Sequence, residues 1–219
     1  MTRRIGETQY QALVADAQVL QQENYGVKVW LLPDGRVLKL FLVRRRISSA
    51  RLISYAARFE RNARRLRRRG IRAPEVLDRF YCAAIGRHGV VYRRLPGEPL
   101  EKLLEKGADE GLLRRFAVFL SELHDKGIYF RSVHPGNVLL MDDGGFGLID
   151  VQDVRFRPWP LGAGLRARNF RHLFRSPVHS TGLRAFGWER FADLYLDALP
   201  PARRRRLAPR LARAGRKQP

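Results

Sequence analysis

Cysteine occurs only once in the 219 residues, as Cys82, which excludes an internal disulfide framework and a cysteine-rich zinc site. No apolar run approaches the roughly 18 residues that a membrane-spanning helix needs. The start, Met1-Thr2-Arg3-Arg4, leads into polar sequence where a secretory leader would carry an apolar segment, so a cytoplasmic chain is expected. Acids are scarce, 21 against 43 bases, which leaves a formal net charge of +22. Lysine is scarce too, at six of the 43. Core-forming residues are plentiful: 45% of the chain is hydrophobic and 10% aromatic, enough to bury one sizeable domain or two small lobes.

The excess charge sits in three blocks. Residues 44–72 hold twelve arginines against the single acid Glu60, residues 155–184 hold seven arginines and no acid, and residues 202–219 hold eight bases and no acid. Outside the blocks acids slightly outnumber bases. Such blocks imply a polyanionic partner: nucleic acid, an anionic membrane face or a phosphorylated substrate. The arginine runs carry few interleaved aromatics for base stacking, and no helix-turn-helix or RNP pattern is present, so no specific nucleic acid is expected.

Along the chain, Tyr10, Leu13, Val14, Ala17 and Leu20 recur at helical spacing and predict a helix over 7–21. Val27 to Leu32, the turn Pro33-Asp34-Gly35 and Val37 to Phe41 predict a hairpin. Ser48 and Ser49 are expected to cap a helix whose apolar stripe is Leu52, Ala56, Phe59, Ala63 and Leu66, closed by Gly70 and Pro74. Val90-Val91-Tyr92 predicts a strand and Leu95-Pro96-Gly97 a connector. A second amphipathic helix spans 109–124 and ends at Gly127, and Val138 to Leu140 pairs with Leu148 and Ile149 across Asp142-Asp143-Gly144-Gly145.

Within this order the charged residues stand where phosphoryl transfer needs them, since that chemistry is mainly positioning and charge neutralisation. Lys39 lies inside the apolar strand Val37-Leu38-Lys39-Leu40-Phe41 and shares a face with Val37 and Phe41. Glu60 follows Ala56 by four and precedes Ala63 by three, beside the buried stripe. A Lys39–Glu60 ion pair is therefore expected. Taken singly, Lys39 reads equally as an edge-strand lysine and Glu60 as a surface partner of Arg64.

The stretch Leu123-His124-Asp125 through Tyr129-Phe130-Arg131-Ser132-Val133-His134-Pro135-Gly136-Asn137-Val138-Leu139-Leu140 resembles a kinase catalytic loop, and Gly147-Leu148-Ile149-Asp150 resembles the strand that delivers a metal-binding aspartate. Together with Leu38-Lys39-Leu40-Phe41 and Arg168-Asn169-Phe170-Arg171-His172-Leu173, these segments resemble the lipopolysaccharide core heptose and Kdo kinases, in the subgroup often labelled toluene-tolerance proteins. The resemblance implies an α+β, protein-kinase-like fold: an antiparallel-sheet N-lobe over residues 1–92, a hinge over 93–97, a shortened helical C-lobe over 98–200 and a basic tail over 201–219. It implies Lys39 on the ATP phosphates with Glu60 orienting it, Arg93 and Leu95 in the hinge against the nucleotide, and Asn137 and Asp150 holding Mg2+.

The resemblance further implies ATP-dependent transfer to a sugar hydroxyl of lipopolysaccharide core or another anionic sugar, at the anionic inner-leaflet surface of the membrane and without a transmembrane segment. Two departures stand out. No G-x-G-x-x-G precedes the hairpin, and Ser132 occupies the position of the catalytic-base aspartate. The chain is then a slow kinase that lacks the base, recruits His134 or Asp153 as a substitute, or is a nucleotide-binding pseudokinase scaffold of envelope synthesis.

Overall fold

The structure, a computed structural model, describes residues 2–42, 54–107 and 109–216. Two compact units divide the chain, residues 1–95 and 96–219.

The first unit is built on a six-stranded sheet. Its strands are β1 (Arg3–Ile5), β2 (Gln18–Glu23), β3 (Gly26–Leu31), β4 (Arg36–Leu42), β5 (Glu75–Cys82) and β6 (Arg87–Arg93), in the spatial order β1-β5-β6-β4-β3-β2. All neighbours are antiparallel except β1, which lies parallel to β5. Alternation along β4 sends Leu38 and Leu40 to one face, where they form a core with Tyr10 and Val14 of helix α1 (Glu7–Val14), Phe80, Cys82 and Val91. Helix α2 (Tyr55–Arg67) covers the other face, its Phe59 ring 5.9 Å from Phe41 and 5.4 Å from Tyr92. Ala56, Phe59, Ala63 and Leu66 are buried, as their spacing requires, while Arg61 and Arg64 between them are exposed and Arg58 and Arg65 half-buried.

Two expectations need revision here. The helix expected over 7–21 stops at Val14, and Gln18–Glu23 pairs with β3 as an edge strand. Leu20, the last residue of the presumed apolar stripe, is 47% exposed on that edge, so the helical spacing had run across two elements. Ser48 and Ser49 lie outside the described residues; the described helix α2 is capped by Ser54, whose hydroxyl accepts from the Ala57 amide at 3.2 Å.

The second unit is mainly helical. It contains α3 (Leu100–Glu105), α4 (Glu110–Asp125), α5 (Ala163–Arg175), α6 (Thr181–Phe186), α7 (Trp188–Asp197) and α8 (Pro201–Gly215). Asp109 caps α4 by accepting from the amides of Gly111 and Leu112. Around α4 lie two small sheets. One joins β7 (Glu98–Pro99), β9 (Val138–Leu140) and β10 (Phe146–Leu148); the other pairs β8 (Ile128–Phe130) with β11 (Val154–Phe156). The core is aromatic: Phe116, Phe170 and Phe191 are fully buried and their rings pack with Trp188 and Tyr195. The basic segment after residue 201 is the helix α8, which buries Leu207, Leu211 and Ala214. No helix among the described residues is long and apolar enough to cross a membrane.

Candidate active site

The site is built from the turns that follow β8 and β10. Strand β8 runs into Arg131 and Ser132, and its antiparallel partner β11 begins at Val154, opposite Phe130. Residues just beyond Phe130 and just before Val154 therefore meet. The Ser132 hydroxyl donates to the Asp153 carboxylate at 3.2 Å. A turn of 3-10 helix over Pro135–Asn137 then carries Asn137, and the Ile149 amide donates to the Asn137 carbonyl at 3.0 Å, which places Asp150 beside it. Among the described residues Asp150 is the single non-glycine with a left-handed backbone, at φ 56° and ψ 42°. That conformation costs an ordinary side chain energy and persists only where the surroundings impose it, a mark of functional sites.

Asn137 is buried, and its Nδ2 makes two contacts: it donates to the Ser132 carbonyl at 2.9 Å and to His134 Nε2 at 3.0 Å. Both amide hydrogens are thereby used, and Oδ1 remains as the acceptor available to a cation. Because His134 Nε2 accepts, its proton is on Nδ1. Burial above all, and then neighbouring His179, push the His134 pKa down to about 4, against the opposite pull of Asp150 and Glu101. His134 stacks on His179 with ring centroids 4.5 Å apart, and His179 Nδ1 lies 2.9 Å from both oxygens of Glu101 on α3. Gly136 lies against this group; a Cβ there would collide with the Glu101 carboxylate.

Behind the loop runs a buried chain of polar groups with one consistent direction. Arg166 Nη1 donates to the Tyr195 hydroxyl at 2.7 Å, which donates to His124 Nδ1 at 2.6 Å; His124 Nε2 donates to Asn169 Oδ1 at 2.9 Å, and Asn169 Nδ2 donates to the Phe130 carbonyl at 2.7 Å. Arg166 also pairs with Asp125. Burial drives the His124 pKa down to about 3, so the ring stays neutral, and raises that of Tyr195. The chain ends on the carbonyl two residues before Ser132 and so fixes where the loop begins.

The remaining expected residues lie in the first unit. Lys39 is 5% exposed, on the sheet face that α2 covers, with Nζ 5.7 Å from the Phe41 ring centre and 5.9 Å from that of Phe59. It aligns with Val29 on one side and Val90 on the other. Glu60 on α2 accepts from Arg79 Nε at 2.6 Å, and Arg79 reaches Thr2 as well. Arg79 pairs in register with Val90, which pairs with Lys39, so Arg79 stands two strands from Lys39. Its part in holding Glu60 was not anticipated, and only the register of β5 could have pointed to it. Arg93, at the end of β6, is exposed and pairs with Glu75 at 3.5 Å; Leu95 is half-buried.

Residues 21–127 match the phosphotransferase enzyme family, APH. No curated protein matches the chain. Among solved structures, a co-crystal structure of WbdD with the kinase inhibitor LY294002 superposes with a TM-score of 0.50 at 22% identity, over 87% of this chain and 48% of that one. A structure of the bifunctional kinase-methyltransferase WbdD matches with a TM-score of 0.50 at 20% identity, over 86% of this chain and 46% of that one. The fold is protein-kinase-like. The chain spans about half the length of the WbdD chains it matches.

Asn137 and Asp150 are the two residues that the sequence resemblance leads one to expect as metal ligands. The described residues hold no cluster of three or more candidate ligands among His, Cys, Asp and Glu. Magnesium bound with a nucleotide does not need one, because phosphates and water complete its octahedron beside one or two protein oxygens. A carboxylate and one uncommitted amide oxygen fit that role.

Proposed function

We propose that the chain is an ATP-dependent phosphotransferase whose acceptor is a hydroxyl of lipopolysaccharide core heptose or Kdo, or of another anionic sugar. Asn137 and Asp150 carry this reading: an amide whose two hydrogens are held by its own loop, beside an aspartate held in the left-handed region. When bound, magnesium-ATP would supply the phosphoryl group and the neutralising charge. Lys39 would serve the nucleotide phosphates, Glu60 would support it, and Arg93 and Leu95 would lie along the nucleotide.

The absent catalytic-base aspartate is compensated by Asp153. Its carboxylate already accepts from the Ser132 hydroxyl, so an acceptor hydroxyl that takes the place of that bond would find a carboxylate ready for its proton. His134 acts instead as a neutral brace for Asn137, its Nε2 engaged and its basicity lowered. The acid-free arginine block over 155–184 favours an anionic acceptor. Together with α8 it also favours peripheral binding to an anionic leaflet, at about 1 kcal/mol per charge near the surface.

The test is phosphate transfer from labelled ATP to extracted core lipopolysaccharide, with Asp150→Ala as the blank. Asp153→Asn is expected to lower transfer roughly 10²–10⁴-fold and Ser132→Ala only modestly. Wild-type signal at the level of the blank, with ATP binding demonstrated, would leave the nucleotide-binding pseudokinase scaffold, the reading that Ser132 itself favours.

A further inference from the structure

The arginines of α8 divide by what they touch. Arg203 pairs with Asp125, and Arg204 pairs with Asp197 at 3.2 Å while donating to the Leu196 carbonyl. Arg206, Arg210 and Arg213 follow at four- and three-residue spacing on a different stripe. They face Arg168 and Arg171 of α5 across a groove of about 480 Å3, lined otherwise by glycine, alanine and proline. None of these five guanidinium groups makes a hydrogen bond or ion pair with any described residue. Arg166, two residues before Arg168 on the same helix, is 2% exposed and bonded to Asp125, Tyr195 and a backbone carbonyl.

The walls of the groove are held by packing and not by neutralisation. Leu207, Leu211 and Ala214 of α8 are buried, as are Ala167, Phe170 and Phe174 of α5, and Trp188 Nε1 donates to the Leu211 carbonyl at 3.2 Å. Like charges at three- and four-residue spacing repel, yet the fold keeps both rows together. Their field reaches inward: the half-buried His172 ring is held below its ordinary pKa first by burial and then by Arg168, with Arg131, Arg175 and Arg171 adding to it.

We propose that the groove between α5 and α8 is a binding site for a ligand carrying two or more phosphate groups, each gripped by paired arginine forks. Arginine suits this chemistry because its planar guanidinium meets two phosphate oxygens at once. The groove has room for a bisphosphorylated sugar or headgroup. It has no aromatic side chain on which a base would stack, which disfavours single-stranded nucleic acid. The site is separate from Asn137, Asp150 and Asp153 and does not depend on turnover.

The test measures binding of pyrophosphate and of fructose 1,6-bisphosphate to the full chain by titration calorimetry at physiological salt, without ATP. The paired variant Arg171→Gln with Arg210→Gln removes two charges from the groove. Arg205→Gln with Arg216→Gln removes the same charge from α8 and its C-cap, outside the groove. Wild type and the second pair are expected to saturate at one equivalent with equal affinity, and the groove pair to bind about tenfold more weakly per arginine lost. Both pairs should melt as wild type does, because no bond within the fold is removed, and Asp150→Ala should bind pyrophosphate unchanged.

Phosphatidylcholine vesicles with and without cardiolipin separate the two sources of the phosphates. Cardiolipin-dependent binding that the groove pair loses and pyrophosphate displaces points to a lipid headgroup; soluble bisphosphate binding alone points to a free phosphosugar. Equal losses in the two pairs, no saturable binding of any probe, or an oligonucleotide that binds more tightly than the bisphosphates would overturn the proposal.

Discussion

Replacing Asn169 by Leu tests whether the buried polar chain positions the loop that carries Ser132. The amide joins two partners with no access to water: it accepts from His124 Nε2 at 2.9 Å and donates to the Phe130 carbonyl at 2.7 Å. Leucine has a similar volume, so the change leaves no large cavity; it leaves the buried His124 N–H without a partner and takes one of its donors from the Phe130 carbonyl, which keeps the Val133 amide at 3.2 Å. The stranded N–H costs about 1–3 kcal/mol and the lost bond to the carbonyl about 0.5–1.5 kcal/mol, for a loss of roughly 1.5–4.5 kcal/mol. Urea denaturation followed by tryptophan fluorescence measures the loss. His124→Leu should cost a comparable amount, because it takes the acceptor from the Tyr195 O–H and the donor from Asn169 Oδ1. The double variant should cost clearly less than the sum, since two stranded partners are removed together. Strict additivity, or a loss below about 0.5 kcal/mol for Asn169→Leu, would refute the chain as a structural unit.

His124 also predicts an acid limit. Its pKa of about 3 in the fold lies below the ordinary 6.5, so the unfolded chain takes up a proton that the folded chain refuses. The stability from neutral His124 is complete above pH 6.5 and falls by roughly 1.4 kcal/mol per unit as pH drops toward 3; denaturant midpoints at pH 7 and 5 should differ in that direction, and His124→Leu should flatten the dependence. Magnesium-ATP should raise the melting temperature of wild type and not of Asp150→Ala, whereas an equal rise in both would place the nucleotide elsewhere. Gly127→Ala should destabilise by about 2–4 kcal/mol, because Gly127 has φ 68° and a Cβ there would lie 2.5 Å from the Arg157 carbonyl and 2.6 Å from that of Trp159; unchanged stability by thermal melting would show that the 157–161 segment yields easily.

The kinase-like fold was legible because its order of elements is written in local signals. The β3–β4 hairpin has its turn residues, α4 has Asp109 before it and Gly127 after it, and β9 and β10 flank a turn rich in Asp and Gly. Segments whose assignment depends on distant partners were not legible. Gln18–Glu23 is a strand only because β3 offers it an edge, and its own residues fit a helix as well. At the site, Asn137, Asp150 and Ser132 were named from the resemblance of one local stretch to a kinase catalytic loop. The partners of those residues were harder to see. Arg79 meets Glu60 across a sheet register, Tyr195 meets His124 from 71 residues away, and Glu101 meets His179 from 78. Short-range patterns carry no information about such pairs. Only the chemistry hints at them: an arginine, a tyrosine or a glutamate inside an otherwise apolar stripe needs a partner somewhere.

The parallel strand β1 has a kinetic consequence. Arg3 pairs with Phe80 and Ile5 with Cys82, so the strand of this sheet that is made first is bound by one of the last of its unit. The hairpins β2–β3 and β5–β6 can close within a few residues of synthesis, but β1 must wait for some 75 further residues before its template exists. Such long-range closure is slow. Until it happens, the outer edge of β5, with Phe80 and Cys82 on one face, offers unpaired backbone groups to any neighbouring chain. Aggregation of newly made protein is therefore expected to depend on how quickly residues 3–5 dock, and substitutions there would lower soluble yield far more than they lower the equilibrium stability of the finished fold.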